Sequence, residues 1–284
     1  KNFLSNFKDI DINEVSSFFD WLEQGDPSIS FYRYKLFREN WPSQNPETFD
    51  ISKDDIPIQI TQNSIVYNIY KKKSVAHIHE SPNVQGDVII PSTIQYGPKE
   101  YDVTLICDNA FSNSSIDSLK FASESKVKFI GNLAFASSPL FRLQIPASLE
   151  ILADNWCQGA DQLRQVEVSP NNRHFSIETF FLIEKKENSK EILLSLKQIK
   201  GELIVPPDIT CIRSFAFANQ ASLTSVVSES SVLREIGHNA FHNCESLFSV
   251  TLKKSKNLAV GSFCFFECKK LSVVNFFCDG VLIG

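Results

Sequence analysis

A segment of the form Ile-x-x-x-Ala-Phe recurs six times along the chain, and this internal repeat restricts the possible folds more than any other feature. A branched aliphatic residue stands five positions before each aromatic position, and a leucine or isoleucine follows it by five or six. One unit cannot bury these side chains alone, but stacked units can, so the repeat predicts a solenoid. The aromatic position is held by Phe111, Phe135, Cys157, Phe217, Phe241 and Phe265.

Short alternating apolar pairs follow each unit, for example Leu143/Ile145 and Val250/Leu252. Alternation with period two predicts a half-buried strand, and neighbouring units would pair these strands in parallel, about 4.8 Å apart. Units follow one another every 22 to 24 residues, apart from a longer gap between Cys157 and Phe217. This period is typical of leucine-rich repeats. We therefore predict a leucine-rich-repeat solenoid, a curved horseshoe with parallel strands on its concave face.

Two polar turns, "KKKS" and "KKENSK", lie between apolar runs, as expected for β-hairpins. Each hairpin is followed by a similar stretch, "GDVIIPSTI" in one case and "GELIVPPDI" in the other. The chain therefore contains two blocks, each a hairpin followed by coils. We predict one continuous solenoid over residues 51–284, with hairpin inserts near 64–90 and 175–205.

Residues 1–50 lack the repeat and contain helix signals instead. Asn13 is a suitable N-cap for "EVSSFFDWLEQ", and Gly25 follows the end of that run. A second helix could begin near Pro27. This pattern predicts a short N-terminal helical segment.

Composition excludes several functional classes. Hydrophobic residues make up 43% of the 284 residues and charged residues 21%, enough for a sizeable core. The net charge of −5 gives no electrostatic basis for binding nucleic acid. The sequence contains no run of 18 apolar residues, so it predicts no transmembrane helix. Methionine is absent and the first residues contain acids where a signal peptide is apolar, so we expect a fragment or processed product.

His238, His242 and Cys244 have the chemistry of zinc ligands. In the repeat frame, however, each occupies a column that other units fill with Asn, Asp, Ser or Ala, and the repeat accounts for them without metal. We predict no metal site and no cofactor. Cys244 and Cys268 share one column, one coil apart, and this spacing allows either two buried thiols or a disulfide.

The sequence contains only weak candidates for catalytic residues. Glu178 and Glu184 are carboxylates that no motif marks as a pair, and Cys157, which could be paired with His174, occupies the core aromatic column. No phosphate-binding glycine motif occurs. We predict that the chain is not an enzyme.

The stretches "GDVIIPSTIQYGPKEYDVTLICDNAF" and "LQIPASLEILADNWCQGADQLRQVEVSPNNRHF" resemble the BspA-like (Treponema-type) leucine-rich-repeat surface antigens. The resemblance covers roughly residues 56–284. It implies a protein-binding or adhesion role, with attachment to host or matrix proteins at the cell surface, and no catalytic residues. If no signal lies outside this sequence, the chain would be cytoplasmic, and the alternative function is an intracellular scaffold or regulator.

The predicted partner-binding residues are those that point outward between the paired aliphatic residues of each strand. Their partner is expected to be a protein of unknown identity. These residues are Lys120, Gln144, Glu167, Val227, Thr251 and Asn275.

Overall fold

The computed structural model describes residues 55–284, and these form the predicted solenoid of stacked coils. The predicted helical segment 1–50 lies outside the described residues. The chain folds as two blocks, which we call the first block (residues 58–168) and the second block (residues 175–283). Each block begins with three antiparallel strands and continues as parallel coils.

The strands of the first block are short, as expected for coils that turn back after one pass across each face. They are β1 (Ile58–Gln62), β2 (Ile65–Tyr70), β3 (Val75–His79), β4 (Gln85–Ile90), β5 (Thr93–Tyr96), β6 (Lys99–Ile106), β7 (Ser115–Phe121), β8 (Phe129–Ile130), β9 (Arg142–Ile145), β10 (Ile151–Leu152) and β11 (Gln165–Val168).

The second block repeats this order with two longer strands at its end. Its strands are β12 (Phe175–Glu178), β13 (Phe181–Lys186), β14 (Ser189–Ser195), β15 (Gly201–Ile204), β16 (Cys211–Ile212), β17 (Leu223–Ser228), β18 (Glu235–Ile236), β19 (Ser249–Val260) and β20 (Val273–Ile283).

Each block carries two parallel ladders, one on either side of its core. The first ladder, which we call the strand face, contains β4, β7, β9 and β11 in one block and β15, β17, β19 and β20 in the other. The second ladder links the end of β6 to the two-residue strands β8 and β10, and likewise β16 to β18. The parallel pairing confirms the predicted fold class. β4 and β15, which lie within the predicted insert ranges, belong to the strand face.

Aromatic rings stack through the centre of each block, as the repeat predicts. The ring centroids of Phe217 and Phe241 are 5.2 Å apart, and those of Phe241 and Phe265 are 5.6 Å apart. The third coil differs from the prediction because Trp156, one residue before Cys157, supplies the ring. Trp156 is buried and meets Phe135 edge-on at 6.2 Å, whereas Cys157 is half-buried.

Two left-handed residues bend every coil around its aromatic position, one lying two residues before it and one two residues after. Asn and Gly adopt this conformation at little steric cost, which explains why Asn recurs in these columns. The pairs are Asn109/Asn113, Leu133/Ser137, Asn155/Gly159, Phe215/Asn219, Asn239/Asn243 and Phe263/Glu267.

Close backbone approach explains the glycine that follows the aliphatic residue in several coils. A Cβ atom on Gly237 would lie 2.5 Å from the backbone nitrogen of Ser214 in the preceding coil. Gly261 has the same relation to His238, at 2.6 Å. Stacking at this distance therefore requires glycine at both positions.

The antiparallel strands β12–β14, which we call the meander, are packed between the cores of the two blocks. Leu182 and Leu193 contribute to the core of the first block. Phe181, Ile183 and Ile192 contribute to the core of the second. The meander therefore has apolar residues on both faces, which accounts for the nearly continuous apolar runs of β13 and β14.

In the second block, we predict that a protease cuts the turn between β13 and β14 before it cuts any coil. Residues 185–188 at its tip are exposed, and exposed loop tips are the usual points of cleavage. We expect trypsin to cut between Lys185 and Lys190 before it cuts within residues 212–252. Mass spectrometry of a short digestion checks this order, and early cuts within 212–252 would show that the coils are not stacked as described.

Candidate protein-binding surface

Outward-pointing side chains of the first block form one row across the strand face. The parallel register pairs Ile89 with Lys120 and Gln144 with Glu167, while the neighbouring pair Leu119–Leu143 brings Lys120 beside Gln144. Lys120 and Glu167 are exposed. The row therefore carries opposite charges on β7 and β11, with Gln144 of β9 between them, an arrangement that favours recognition of a polar partner surface.

The second block carries an equivalent row in a separate sheet. Ile204 pairs with Val227, Val227 with Thr251, and Thr251 with Asn275. Val227, Thr251 and Asn275 are half-buried. The six predicted residues thus form two aligned rows of three, one in each block.

Gln144 has a role inside the sheet. Its side-chain oxygen accepts a hydrogen bond of 3.1 Å from the backbone N–H of Phe121, at the end of β7. This bond satisfies a donor that the neighbouring strand leaves unpaired, so Gln144 holds the sheet together while lying in the row.

The sequence prediction missed four exposed apolar residues on or beside these rows. Ile89 and Ile204 are 67% and 68% exposed, on the first strand of the face in each block. Phe141 and Phe248 occupy equivalent positions immediately before β9 and β19, and Phe248 is 53% exposed. The matching "GDVIIP" and "GELIVP" stretches contain the signal for the two isoleucines, because both place an aliphatic residue at the outward position.

The two strand faces differ in charge. In the adjacent outward column, Asp87, Ser118 and Arg142 lie in register in the first block, with Asp87 accepting a hydrogen bond from Ser118. The same column in the second block contains Glu202, Ser225, Ser249 and Val273. The strand face of the first block is therefore richer in charge, and that of the second is mainly hydroxyl-bearing and apolar.

A buried ion-pair cluster joins the two blocks behind the strand face. The Arg213 guanidinium lies 2.9 Å from Asp154 of the first block and 2.9 Å from Glu191 of the meander. It also lies 3.4 Å from Glu184, and Lys186 contacts both glutamates. Arg213 thereby connects segments nearly sixty positions apart in sequence, with its charge paired as burial requires.

The two glutamates of this cluster have pKa values shifted in opposite directions. Burial raises the pKa of the Glu184 carboxyl, and the Arg213 charge opposes that shift only in part. Burial acts in the same sense on Glu191, but the nearby charges of Arg213 and Lys186 outweigh it and lower its pKa. Glu178 forms ion pairs with Lys185 and Lys190 instead. Glu184 and Glu191 thus share Arg213 and Lys186, whereas Glu178 has separate cationic partners.

His238, His242 and Cys244, which have the chemistry of zinc ligands, contact aromatic rings and a backbone carbonyl in the structure. His238 lies edge-on to Phe263 at 5.6 Å, and His242 stacks on Phe266 at 5.7 Å. Cys244 is buried, and its thiol donates to a backbone carbonyl. Within residues 55–284, no group of three His, Cys, Asp or Glu side chains is arranged to hold a metal ion.

All seven cysteines of the chain lie in the described region and are free thiols. Cys244 donates to the carbonyl of Phe217 at 3.2 Å, and Cys268 to that of Phe241 at 3.1 Å. Of the two alternatives left by the sequence, the structure contains the thiol pair. At Cys157, burial together with the Asp161 charge raises the pKa to about 12, so this thiol stays protonated near neutral pH.

The described residues contain no helix with the length and hydropathy needed to cross a bilayer.

A family model for the BspA type leucine-rich repeat region matches six copies in this sequence, over residues 93–201 and 190–281. The matches span more than half of the chain and include the coils of both blocks. The protein belongs to the BspA-type leucine-rich-repeat family. The matched BspA-type repeats include β7, β9 and β11 of the first strand face and β15, β17 and β19 of the second.

Several solved structures resemble this BspA-type chain. The pneumococcal vaccine antigen PcpA is 15% identical, with 81% of this chain and 82% of PcpA covered and a TM-score of 0.44. The leucine-rich repeat protein TpLRR of T. pallidum is 20% identical, with coverage of 80% and 86% and a TM-score of 0.39. A leucine-rich-repeat protein from Eubacterium ventriosum is 15% identical, with coverage of 77% and 85% and a TM-score of 0.41. None of the curated proteins matches the sequence.

Proposed function

We propose that this BspA-type chain is a non-enzymatic adhesion module that binds a host or matrix protein through its strand face. One observation carries the proposal: outward side chains of successive coils align in two rows, with exposed isoleucines beginning each row. Protein-binding surfaces combine apolar contact area with a polar rim, and each isoleucine lies in line with polar outward side chains. The rows span several coils, which suits the large contact area of a specific protein complex.

The electrostatics of the polar side chains support a binding role over catalysis. Glu178, Glu184 and Glu191 are held in ion pairs with cationic neighbours, and the thiol of Cys157 is protonated near neutral pH. A catalytic acid, base or nucleophile needs a pKa suited to proton transfer and access to its substrate. The side chains on the strand face instead offer shape, charge and apolar contact.

A second candidate function is an intracellular scaffold or regulator. The free thiols favour it, since reduced cysteines persist in the cytosol and disulfides form in oxidising compartments. Protease treatment of intact cells distinguishes the two functions. Cleavage of the chain on intact cells supports adhesion, whereas protection until the cells are lysed supports the scaffold.

Substitutions on the two rows test the proposed surface. Once a ligand is found in a panel of purified matrix proteins, we expect Glu167→Lys or Thr251→Arg to weaken its binding at least tenfold, or about 1.4 kcal/mol. The new side chain would place a mismatched or uncompensated charge within the contact area. Surface plasmon resonance measures the loss.

Glu187→Lys and Asn188→Arg are matched controls because both residues are exposed at the hairpin tip, away from the strand face. They introduce the same charge changes and should leave affinity unchanged. All four variants should melt like the parent, as expected for exposed or half-buried surface positions. Binding within twofold of the parent for both Glu167→Lys and Thr251→Arg would exclude the strand face as the site.

A further inference from the structure

Hydrogen bonds join the turns of successive coils in a fixed pattern. In the turns around Phe111, Phe217 and Phe241, the N–H groups of the aromatic position and of the residues two before and two after it point toward the next coil. They donate to three carbonyls that are also two residues apart. Asn109, Phe111 and Asn113 donate to Asn132, Ala134 and Ala136 at 3.0, 2.7 and 2.8 Å, and Phe215, Phe217 and Asn219 donate to His238, Ala240 and His242 at 3.2, 2.8 and 2.8 Å. The turn around Phe135 makes two of these bonds, from the N–H groups of Phe135 and Ser137, at 2.8 and 2.9 Å.

The third coil breaks this pattern. The N–H groups of Asn155, Cys157 and Gly159 occupy the three donor positions, yet they donate to no backbone carbonyl among residues 55–284. The next turn, residues 213–220, belongs to the second block and is separated from the third coil by the meander. The physical cause is thus the packing of β12–β14 between the two blocks.

On the opposite side, the turn formed by residues 213–220 has carbonyl groups that lack donors within the described part of the chain. We call this turn and the turn of the third coil the two walls. The carbonyl of Ala216 accepts from the N–H of Ser195 in the meander at 2.9 Å. The carbonyls of Ser214 and Ala218, on either side of it, receive no hydrogen bond from the described residues. One wall therefore offers donors two residues apart, and the other offers acceptors.

A cavity of about 310 Å³ lies between these walls. We call it the seam cavity. Trp156, Leu163 and Leu193 give it an apolar lining, and the backbone groups of both walls border it. The side-chain oxygen of Asn155 is buried there without a hydrogen-bond partner. This volume is at the lower end of the range for ligand pockets, about 300–1,000 Å³, and buried polar atoms in native proteins are normally paired.

Two contacts bridge the seam and set its charge. Arg213 is 2.9 Å from Asp154, and the side-chain amide of Asn219 donates to Asp161 at 2.7 Å. Asp154 and Asp161 line the cavity together with Arg164 and Arg213, so charges of both signs flank the N–H groups. Two carboxylates and two guanidinium groups balance at the cavity, so its lining has no excess charge that favours an ion over a neutral carbonyl oxygen.

We infer that the seam cavity binds a short extended peptide segment of small residues. Its carbonyls accept from the N–H groups of Asn155, Cys157 and Gly159, as the next coil does elsewhere in the solenoid. Its N–H groups on the other edge donate to Ser214 and Ala218. This is recognition by added-strand hydrogen bonding, in which main-chain bonds supply affinity. The cavity volume restricts the side chains to the size of glycine or alanine. The site is separate from the strand face and independent of the proposed adhesion role.

Amide hydrogen exchange on the full chain tests the inference. The probes are acetyl-tetraglycine amide and acetyl-tetraalanine amide at millimolar concentration, with exchange followed by NMR. We expect exchange at Asn155, Cys157 and Gly159 to slow about tenfold when the peptide is at ten times its dissociation constant. The equivalent amides of the first coil, Asn109, Phe111 and Asn113, should not change.

A variant that narrows the cavity provides the control. Ala218 lines the cavity and lies in the same column as Phe266, so Ala218→Phe fits a slot that already holds phenylalanine in another coil. Ala218→Phe should abolish the slowing of amide exchange by the peptide. If this variant does not fold, Gln158→Phe, on the opposite wall, should have the same effect. Ser112→Phe, in the same column of the first coil, should leave the slowing intact.

Three results would overturn the inference. The first is unchanged exchange at Asn155, Cys157 and Gly159 with both peptides. The second is slowing that persists in a folded Ala218→Phe or Gln158→Phe variant. The third is equal slowing by sodium phosphate or acetate alone, which would make the cavity an anion site. Thr251→Arg should leave the effect unchanged, so failure of the strand face would not affect this result.

Discussion

Replacing Phe241 with alanine is expected to lower the free energy of unfolding by about 3–5 kcal/mol. The ring is fully buried and stacks between Phe217 and Phe265, at 5.2 and 5.6 Å. Its removal leaves a cavity in the middle of the aromatic ladder, where neighbouring coils cannot close without breaking their backbone hydrogen bonds. Urea unfolding followed by circular dichroism measures the change.

His242→Ala is the matched control, one residue along the same turn. His242 is half-buried and stacks on Phe266 at the surface, so its loss should change stability by no more than about 0.5 kcal/mol. If His242→Ala proved more damaging than Phe241→Ala, the inward and outward positions of the turn would have to be exchanged.

Replacing Arg213 with methionine is expected to destabilise the protein by about 3–5 kcal/mol, the usual result of removing one partner from a buried ion pair. Methionine keeps the apolar part of the side chain but leaves Asp154, Glu184 and Glu191 without their shared cation. Lys186 contacts the two glutamates only. Thermal and urea unfolding of the variant measure the effect.

Two further variants isolate the electrostatic part of this loss. Adding Asp154→Asn and Glu184→Gln to Arg213→Met removes two of the three carboxylates that lost Arg213 and leaves Lys186 paired with Glu191, so it should recover a large part of the stability. Arg234→Met, at an exposed arginine of the same block, should be neutral within about 0.5 kcal/mol. A loss below about 1 kcal/mol for Arg213→Met would show that the cluster does not hold the blocks together.

The sequence by itself determined the features that the repeat encodes. The aliphatic and aromatic columns predicted which residues stack, and the structure places Ile106 beside Ile130 and Phe217 beside Phe241. The period-two alternation likewise predicted the register that aligns Val227 with Thr251. These contacts can be predicted from sequence because a constant repeat period brings equivalent residues of adjacent coils together. They do not depend on how the rest of the chain packs.

Trp156 and Gln144 show where the repeat frame fails at single residues. Cys157 holds the aromatic position in sequence, but the larger Trp156 fills the space next to Phe135 because packing selects volume over register. Gln144 occupies an outward position, yet its side chain bends back to the N–H of Phe121. Such local choices depend on neighbouring atoms that the repeat pattern does not describe.

The relation between the two blocks was decided only by the tertiary structure. The hairpin signal was visible in the sequence, but nothing in its pattern showed that Leu182 would pack into one core and Ile183 into the other. Arg213 and Asp154 are separated by more than two repeat periods, so no column relates them. The seam cavity and its unpaired N–H groups arise from this packing, because a meander that fills the space between two cores also interrupts the hydrogen bonding of the coils on either side.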